Sequence, residues 1–355
     1  MTNEQNNTVG KHEAQPKKLG KGAKAGIIIA CCVVGILICL VSTYFILNYI
    51  GKNRFRSGDR QVSVPADIAD DIADDGSVID YKGTRYYLNE DVVSILFMGI
   101  DKEKINKNDT YGKNGQADAI FVACLDTKTG SVKIIPISRE TMVDVNMYSV
   151  KGNYTGVKKE QLCLAYAYGN TAEKSCENVA VSVKRLLYGM NINYYVAVDL
   201  DGVGALTDMV GGVTVNSLET IESFKQGQSV KLKGKNAVLY IRARGSDVDG
   251  STRRLERQKQ FLGAFASKAG NELMSNFTKV TSYYNKAAPY ISTNLQLPEV
   301  TYLASSCLTS NVGSSIQYVK INGVSALGEE YVEFTPDSES VYEAVLNTFY
   351  TTEKR

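Results

Sequence analysis

The sequence VVSILFMGID, at residues 92–101, is almost entirely apolar and ends in a glycine and an aspartate. Two more apolar runs follow along the chain, AIFVACLD at residues 119–126 and VKIIPIS at residues 132–138. Strands that are apolar throughout are typical of a central sheet that is covered on both faces. The three runs therefore predict an α/β fold in which helices flank a central mixed sheet.

The sequence on either side of these strands predicts the elements that complete one domain over residues 81–355. The run IDYKGTRYYL, at residues 79–88, predicts a hairpin whose turn is Lys82-Gly83. Apolar spacing predicts a helix over residues 173–187, followed by the strand NYYVAVDL at residues 193–200. The remaining segments are a helix, turn and strand in LTDMVGGVTVN (206–216), helices at 277–288 and 297–308, and the strand SIQYVKI (315–321).

The N-terminal part of the chain predicts a membrane anchor. Residues 1–24 are polar, contain five lysines and are expected to form a disordered cytoplasmic tail. Residues 25–50 carry no charge and are long enough to span a bilayer as an uncleaved signal anchor. Residues 51–80 are rich in aspartate and predict a solvated linker. We therefore expect a single-pass protein of the cell membrane with an extracellular C-terminal domain.

The composition excludes several classes of function. The chain has one histidine, which lies in the N-terminal tail, so catalysis by histidine and zinc binding by histidine are not expected in the domain. The cysteines show no CxxC spacing and are expected to be free and buried, with a Cys163–Cys176 disulfide as the alternative. The first 50 residues hold five Lys and two Glu, which leaves 35 basic and 36 acidic residues in the remainder. This balance does not favour nucleic-acid binding.

The stretch YIRARGSDVDGSTRRLERQKQF, at residues 240–261, is locally dense in arginine. The run AVLYI before it predicts a strand that ends with Arg242 and Arg244 on one face. Ser251 or Thr252 is a candidate cap for a helix that runs to about residue 268. Its arginines are Arg242, Arg244, Arg253, Arg254 and Arg257. Since arginine and helix N-termini both favour phosphate, the stretch predicts a site for a highly charged anion.

Three more charged residues lie at predicted strand ends. Asp101 follows the first apolar strand, Asp118 opens the second, and Arg139 closes the third. Ligands of open α/β sheets gather at such strand ends. Two aspartates without histidine or cysteine suit a hard cation such as Mg²⁺. A cation beside an arginine cluster is the usual combination for charge development at phosphorus.

Six motifs in this order resemble the LytR–CpsA–Psr (LCP) family over roughly residues 92–265. They are SILFMGID, QADAI, PISRET, LAYAYGN, DMVGGVTVN and YIRARGSDVDGSTRRLERQ. The resemblance implies an αβα sandwich with an apolar channel for a lipid, and a membrane-bound phosphotransferase. Such an enzyme moves a glycopolymer, for example teichoic acid or capsule, from a polyprenyl-pyrophosphate carrier to peptidoglycan as a phosphodiester. Polyprenyl phosphate is released, and Mg²⁺ is the implied cofactor.

The resemblance also implies roles for individual residues. Asp101 and Asp118 match aspartates that serve the Mg²⁺. The residues that it implies in catalysis are Asp118, Arg139, Arg254 and Arg257. Substrate binding is expected from Arg242, Arg244 and Gln258, and from Arg253, which is additional to the family pattern.

The chain departs from the family pattern at several positions. Gln116 stands where an arginine is usual, and Ser251 stands where an aspartate is usual. In the LAYAYGN region, Gln161, Cys163 and Leu164 replace the usual Lys, Asn and His. Two alternatives to transfer therefore stay open, namely a polyprenyl-pyrophosphate hydrolase and a non-catalytic module that binds lipid-linked glycan.

Overall fold

The computed structural model describes residues 46–52, 71–72, 76–105, 111–113, 115–190, 192, 194–243, 250–309, 316–328 and 331–353. The chain divides into two compact units, Met1–Ile46 and Leu47–Arg355. The architecture below is that of the second unit. The predicted tail, nearly all of the predicted span and most of the predicted linker lie outside the described residues. No helix among the described residues is long and apolar enough to cross a membrane.

The first described strand begins at Asp71, ahead of residue 81, where the domain is predicted to start. The strands are β1 (Asp71–Ile72), β2 (Val78–Tyr81), β3 (Thr84–Leu88), β4 (Val92–Ile100), β5 (Ala117–Asp126), β6 (Val132–Ile137), β7 (Met142–Tyr148), β8 (Tyr154–Gln161), β9 (Tyr194–Val198), β10 (Val213–Asn216), β11 (Ser229–Leu232), β12 (Ile291–Thr293), β13 (Ile316–Tyr318), β14 (Gly323–Leu327), β15 (Val332–Pro336) and β16 (Tyr350–Thr351).

The helices come mainly from the second half of the chain. Residues 46–52 are helical and are called α1. The others are α2 (Ala172–Leu186), α3 (Leu200–Met209), α4 (Gly234–Arg242), α5 (Gly250–Ser275), α6 (Lys279–Ala287), α7 (Leu297–Thr309) and α8 (Ser338–Phe349). Two 3₁₀ helices, Leu162–Tyr168 and Ala288–Tyr290, complete the set among the described residues.

A mixed sheet with the order β12-β9-β4-β5-β6-β13 forms the centre of the described fold. β4 pairs antiparallel with β5 and parallel with β9, and β5 pairs antiparallel with β6. β13 joins the far edge parallel to β6. The predicted central mixed sheet is therefore confirmed, and the three apolar runs of the sequence are its β4, β5 and β6.

Helices cover both faces of this sheet, as the apolar strands predicted. Alternate residues of β4, such as Leu96 and Met98, are buried in one core cluster with Val179 of α2 and Val345 of α8. On the opposite face, Ile95 of β4 belongs to a cluster that packs against α7. Because successive side chains of a strand point to opposite faces, one strand serves both clusters. The layers are helix, sheet and helix.

The structure corrects one predicted strand. The run AVLYI lies in helix α4, because Ala237, Tyr240 and Ile241 fall on one helical face and pack in a core cluster with Val213 and Leu232. Short apolar runs fit both a strand and a buried helix, and here packing against β10 and β11 stabilises the helix. Arg242 therefore ends a helix, and the inference of two arginines on one strand face is wrong.

Candidate active site

The sheet register brings Asp101, Asp118 and Arg139 to one edge. Because β4 and β5 are antiparallel, Ile100 at the end of β4 pairs with Ala117 at the start of β5. Because β5 and β6 are also antiparallel, Ile120 pairs with Ile137, two residues before Arg139. The three charged residues thus follow directly from the predicted strands, and their predicted convergence is present in the structure.

Asp118 is paired with two arginines from different parts of the chain. Its Oδ1 lies 2.6 Å from Nη1 of Arg139, and its Oδ2 accepts a hydrogen bond of 3.2 Å from Nη1 of Arg254. Arg254 is 7% exposed and lies in the first turns of α5. The result is a continuous Arg139–Asp118–Arg254 cluster that carries a net charge of about +1. Its two guanidinium groups suit an anionic ligand.

Two atoms of this cluster are buried without a hydrogen-bond partner in the described structure. They are Oδ1 of Asp118 and Nε of Arg139. The short contact between Asp118 and Arg139 is thus an ion pair that lacks the alignment of a hydrogen bond. Buried polar atoms without partners are rare in native proteins and often mark a functional site. Their location here supports ligand binding at the cluster.

A cavity of about 110 Å³ opens beside the cluster. Asp118 and Arg254 line it from one side, and Asp101 and Arg242 line it from another. Nη2 of Arg242 lies 2.9 Å from Oδ1 of Asp101, and both side chains are largely exposed. Gln258 also lines the cavity and donates a hydrogen bond of 3.3 Å to the carbonyl of Ile241. The cavity therefore combines two carboxylates with two guanidinium groups.

Arg257 has a different environment from Arg254. It is 1% exposed, and its Nε donates a hydrogen bond of 3.0 Å to the carbonyl of Tyr240. Its Nη1 and Nη2 donate to Glu219 and to the carbonyl of Ala243. Arg257 does not line the cavity. Its contacts fix the C-terminal end of α4, where orphan carbonyls need donors, and thereby place Arg242 at the cavity.

A second, larger cavity of about 340 Å³ lies between the sheet and α5. Its walls are apolar or small residues of the strands β4, β5 and β6 and of the helices α5 and α7. The α5 residues that line it include Leu262, Ala266, Gly270 and Leu273. Arg254, Gln258, Leu262, Ala266 and Gly270 form one row of α5 residues spaced four apart, and this row winds about 40° around the helix at each step. The row is therefore cationic at its start and apolar further on.

The family model for LytR_cpsA_psr matches residues 61–348 of the chain. The chain belongs to this family. TagV of Bacillus subtilis, named a polyisoprenyl-teichoic acid–peptidoglycan teichoic acid transferase, is 31% identical over 236 residues, 61% of this chain and 55% of TagV. TagU of Oceanobacillus iheyensis, with the same activity in its name, is 26% identical over 245 residues, 67% of this chain and 69% of that protein.

Solved structures of the LytR_cpsA_psr fold agree with the architecture described above. The crystal structure of B. subtilis TagV aligns with a TM-score of 0.57 and 28% identity, and covers 72% of this chain and 95% of the TagV chain. The match to curated TagV spans about half the length of that relative. The αβα sandwich is therefore the fold of this family member.

Arg253, a predicted binding residue, does not line the small cavity. Arg253 is paired with Glu219, with 2.9 Å between its Nε and Oε2 of that residue, and its side chain is 37% exposed. Arg244 lies outside the described residues. α5 has already begun at Gly250, so the candidate caps Ser251 and Thr252 lie inside its first turn. The described structure therefore places Asp101, Asp118, Arg242, Arg254 and Gln258 around one cavity.

Sequence reasoning missed Glu219 and the lining of the large cavity. Glu219 is the shared acidic partner of Arg253 and Arg257. Glu219 lies in the loop between β10 and β11 and belongs to no recognisable sequence motif. The cavity lining had a detectable signal, because Leu262, Ala266, Gly270 and Leu273 repeat at three and four residues along α5.

Proposed function

We propose that this protein transfers a glycopolymer from a polyprenyl-pyrophosphate carrier to peptidoglycan and releases polyprenyl phosphate. The observation that carries the proposal is the row of α5 residues, spaced four apart, that runs from the polar cavity to the apolar one. A polyprenyl pyrophosphate has a highly charged head and a long apolar chain. Arg254 and Gln258 line the polar cavity, and Leu262 to Leu273 line the apolar one.

The dimensions of α5 support one ligand that occupies both cavities. From Arg254 to Leu273 the helix rises about 28 Å at 1.5 Å per residue. This length is suited to a head group followed by several prenyl units. The named activity of the TagV and TagU relatives supports the same class of substrate, since both are called polyisoprenyl-teichoic acid transferases.

The chemical step that we propose is a displacement at phosphorus. An acceptor hydroxyl oxygen forms a bond to the phosphorus that carries the glycan, while the bond to the bridging oxygen of the pyrophosphate breaks. The leaving polyprenyl phosphate takes the electron pair, and the hydroxyl proton passes to a carboxylate of the cavity, Asp101 or Asp118. Arg139 and Arg254 stabilise the negative charge that develops on the phosphoryl oxygens.

The residues of the small cavity fit a Mg²⁺ ion held together with a pyrophosphate. Asp101 and Asp118 both line the cavity, and Oδ1 of Asp118 is ion-paired with Arg139 but accepts no hydrogen bond in the described structure. No group of three histidine, cysteine or acidic residues within the described ranges is placed to hold a metal. Mg²⁺ typically uses one or two carboxylates and completes its shell with water and phosphate oxygens. The ion would neutralise charge on the leaving group.

Removal of Mg²⁺ is expected to lower the rate of polyprenyl phosphate release by about 100-fold or more, because the metal contributes several kcal/mol of charge stabilisation. The measurement is the initial rate after dialysis against EDTA and after return of Mg²⁺. An Asp101→Ala variant should need more Mg²⁺ for half-maximal rate. A rate that EDTA leaves unchanged would contradict the proposed cofactor.

The transfer itself is tested with the full-length protein in detergent. The reaction contains a synthetic polyprenyl-pyrophosphate oligosaccharide, a peptidoglycan fragment and Mg²⁺, and both products are followed by mass. The expected products are polyprenyl monophosphate and an oligosaccharide joined to peptidoglycan through a phosphodiester. Release of free glycosyl phosphate at the same rate without peptidoglycan would indicate the hydrolase instead. Tight binding without turnover would indicate a binding module.

Side chains that fill the apolar cavity are expected to discriminate against long lipids. No heavy atom of the described structure lies within 4 Å of the position that a Cβ of Gly270 would take, so a leucine there extends into open space. We expect Ala266→Phe/Gly270→Leu to lower kcat/KM at least about 10-fold for a long-chain donor, since several buried CH₂ groups lose their site. A short-chain, water-soluble donor should react as before.

Lys268→Leu is the matched control for this prediction. Lys268 lies on the same helix but pairs with Glu272 and does not line the cavity. This variant should leave the ratio of kcat/KM for the long-chain donor to kcat/KM for the short-chain donor unchanged. Equal losses for long and short donors in Ala266→Phe/Gly270→Leu would contradict the assignment of the cavity to the lipid.

A further inference from the structure

Gln116, Cys163 and Gln161, which depart from the family pattern, lie together around Arg139. Nη2 of Arg139 donates a hydrogen bond to Oε1 of Gln116 and a second one, of 3.3 Å, to Sγ of Cys163. Nη1 of the same guanidinium faces Asp118 at 2.6 Å. The two nitrogens thus point in fixed directions, one into the charged cluster and one toward neutral acceptors.

Cys163 is itself held in place by its neighbours. It is completely buried at the start of the 3₁₀ helix Leu162–Tyr168, and its backbone N–H donates 3.1 Å to the carbonyl of Arg139. Its thiol donates to Oε1 of Gln161 over 3.7 Å. Nε2 of Gln161 donates 2.8 Å to the carbonyl of Val332 in β15. A chain of contacts therefore runs from the backbone of β15 to the guanidinium.

The partners of Nη2 are neutral, and this preserves the charge of Arg139. Gln116 has no charge, and burial raises the pKa of the Cys163 thiol, although the nearby Arg139 acts in the opposite direction. A protonated thiol accepts from the arginine through sulfur and donates its own hydrogen to Gln161, as the contacts require. An acidic side chain at either position would cancel the charge that a phosphoryl group needs.

We propose that Gln116, Cys163 and Gln161 are positioning residues that hold the guanidinium of Arg139 against Asp118 without neutralising it. The inference rests on the proposed phosphoryl transfer. None of the three residues is required to touch the substrate. They contribute by fixing the directions of Nη1 and Nη2, so the guanidinium need not reorient when charge develops at phosphorus.

The test compares kcat and KM of the full-length protein for four variants. Cys163→Ala and Gln116→Met remove the acceptors of Arg139, and each is expected to lower kcat about 10-fold, the value of one hydrogen bond to a charged group. KM for the donor should change less than about twofold, because ground-state binding is retained. Cys163→Ser should restore most of the rate. Gln116→Glu, which keeps the acceptor but adds charge, should raise KM.

Cys124→Ala is the matched control for the loss of a buried thiol. Cys124 is 2% exposed in the core of β5 and has no role in the cluster. Its kcat should equal that of the wild type at similar thermal stability. The double variant Gln116→Met/Cys163→Ala should lose about as much as Arg139→Ala, since both act on the same group. Single variants with wild-type kcat, where Arg139→Ala is impaired, would overturn the inference.

A spectroscopic readout separates this inference from the proposed function. In arginine-selective ¹⁵N NMR of the full-length protein, the Nη resonances of Arg139 should show slow rotation in the wild type and faster rotation in Cys163→Ala and Gln116→Met. Slow rotation of the Arg139 guanidinium without any glycan transfer would support the positioning role of the three residues and reject the proposed function. Fast rotation in the wild type would reject the positioning chain even if transfer occurs.

Discussion

Replacement of Arg254 by alanine is expected to lower kcat for glycan transfer by about 10²–10³, by analogy with loss of one preorganised donor in other active sites. Arg254 is 7% exposed, donates to Asp118 and lines the polar cavity. Its loss leaves Arg139 as the single cation paired with Asp118 in the described structure, so the cluster no longer carries excess positive charge. The measurement is kcat and KM for polyprenyl phosphate release.

Two further variants make this result specific. Arg254→Lys retains the charge but loses the planar fork that matches phosphate oxygens, so it should recover only part of the rate. Lys268→Ala removes a positive charge from the same helix, where Lys268 pairs with Glu272. It should behave as the wild type. Equal rates for Arg254→Ala and Lys268→Ala would refute the role of Arg254.

Replacement of Arg257 by methionine is expected to destabilise the domain by about 3–5 kcal/mol, because it breaks a buried ion pair and removes donors from two backbone carbonyls. The residue is 1% exposed, and its guanidinium binds Glu219 and the C-terminal end of α4. The measurement is urea unfolding followed by circular dichroism. We also expect a lower affinity for the donor, because Arg242 is the last residue of α4 and shifts when this end of the helix is no longer held in place.

A second replacement tests the cause of this instability. Arg257→Met/Glu219→Met removes both charges of the pair, but Glu219 keeps Arg253 as a partner in the single variant, so the double variant should recover only a small part of the lost stability. The recovery should be incomplete because the carbonyls of Tyr240 and Ala243 still lack their donor. Wild-type stability of Arg257→Met with a strong loss of kcat would instead support a direct role of Arg257 at phosphorus.

Much of the charged cluster could be predicted because it depends on strand ends. Apolar runs fixed the positions of β4, β5 and β6, and antiparallel pairing of neighbours then placed Asp101, Asp118 and Arg139 at one edge. Strands that follow one another along the chain often pair with each other, so their pairing can be inferred from the sequence. Arg254 was also predicted correctly on a helix start, although its partner, Asp118, lies 136 residues away in the sequence.

The roles of the other arginines depended on contacts that the sequence does not encode locally. AVLYI could form a strand or a helix, and packing against β10 and β11 selected the helix. Arg257 resembled Arg254 in the sequence, but the end of α4 and Glu219 lie beside Arg257 and surround its guanidinium. The departures at Gln116 and Cys163 left a hydrolase and a binding module open as alternatives, and in the structure both residues contact Arg139.

The most direct test of the account is a crystal structure of the protein with a non-hydrolysable polyprenyl pyrophosphate and Mg²⁺. The account predicts density for the pyrophosphate in the cavity lined by Asp118 and Arg254, and density for the prenyl chain along Leu262, Ala266 and Leu273 of α5. A pyrophosphate bound elsewhere, or a prenyl chain outside the apolar cavity, would contradict the claim that one row of α5 residues binds both parts of the lipid carrier.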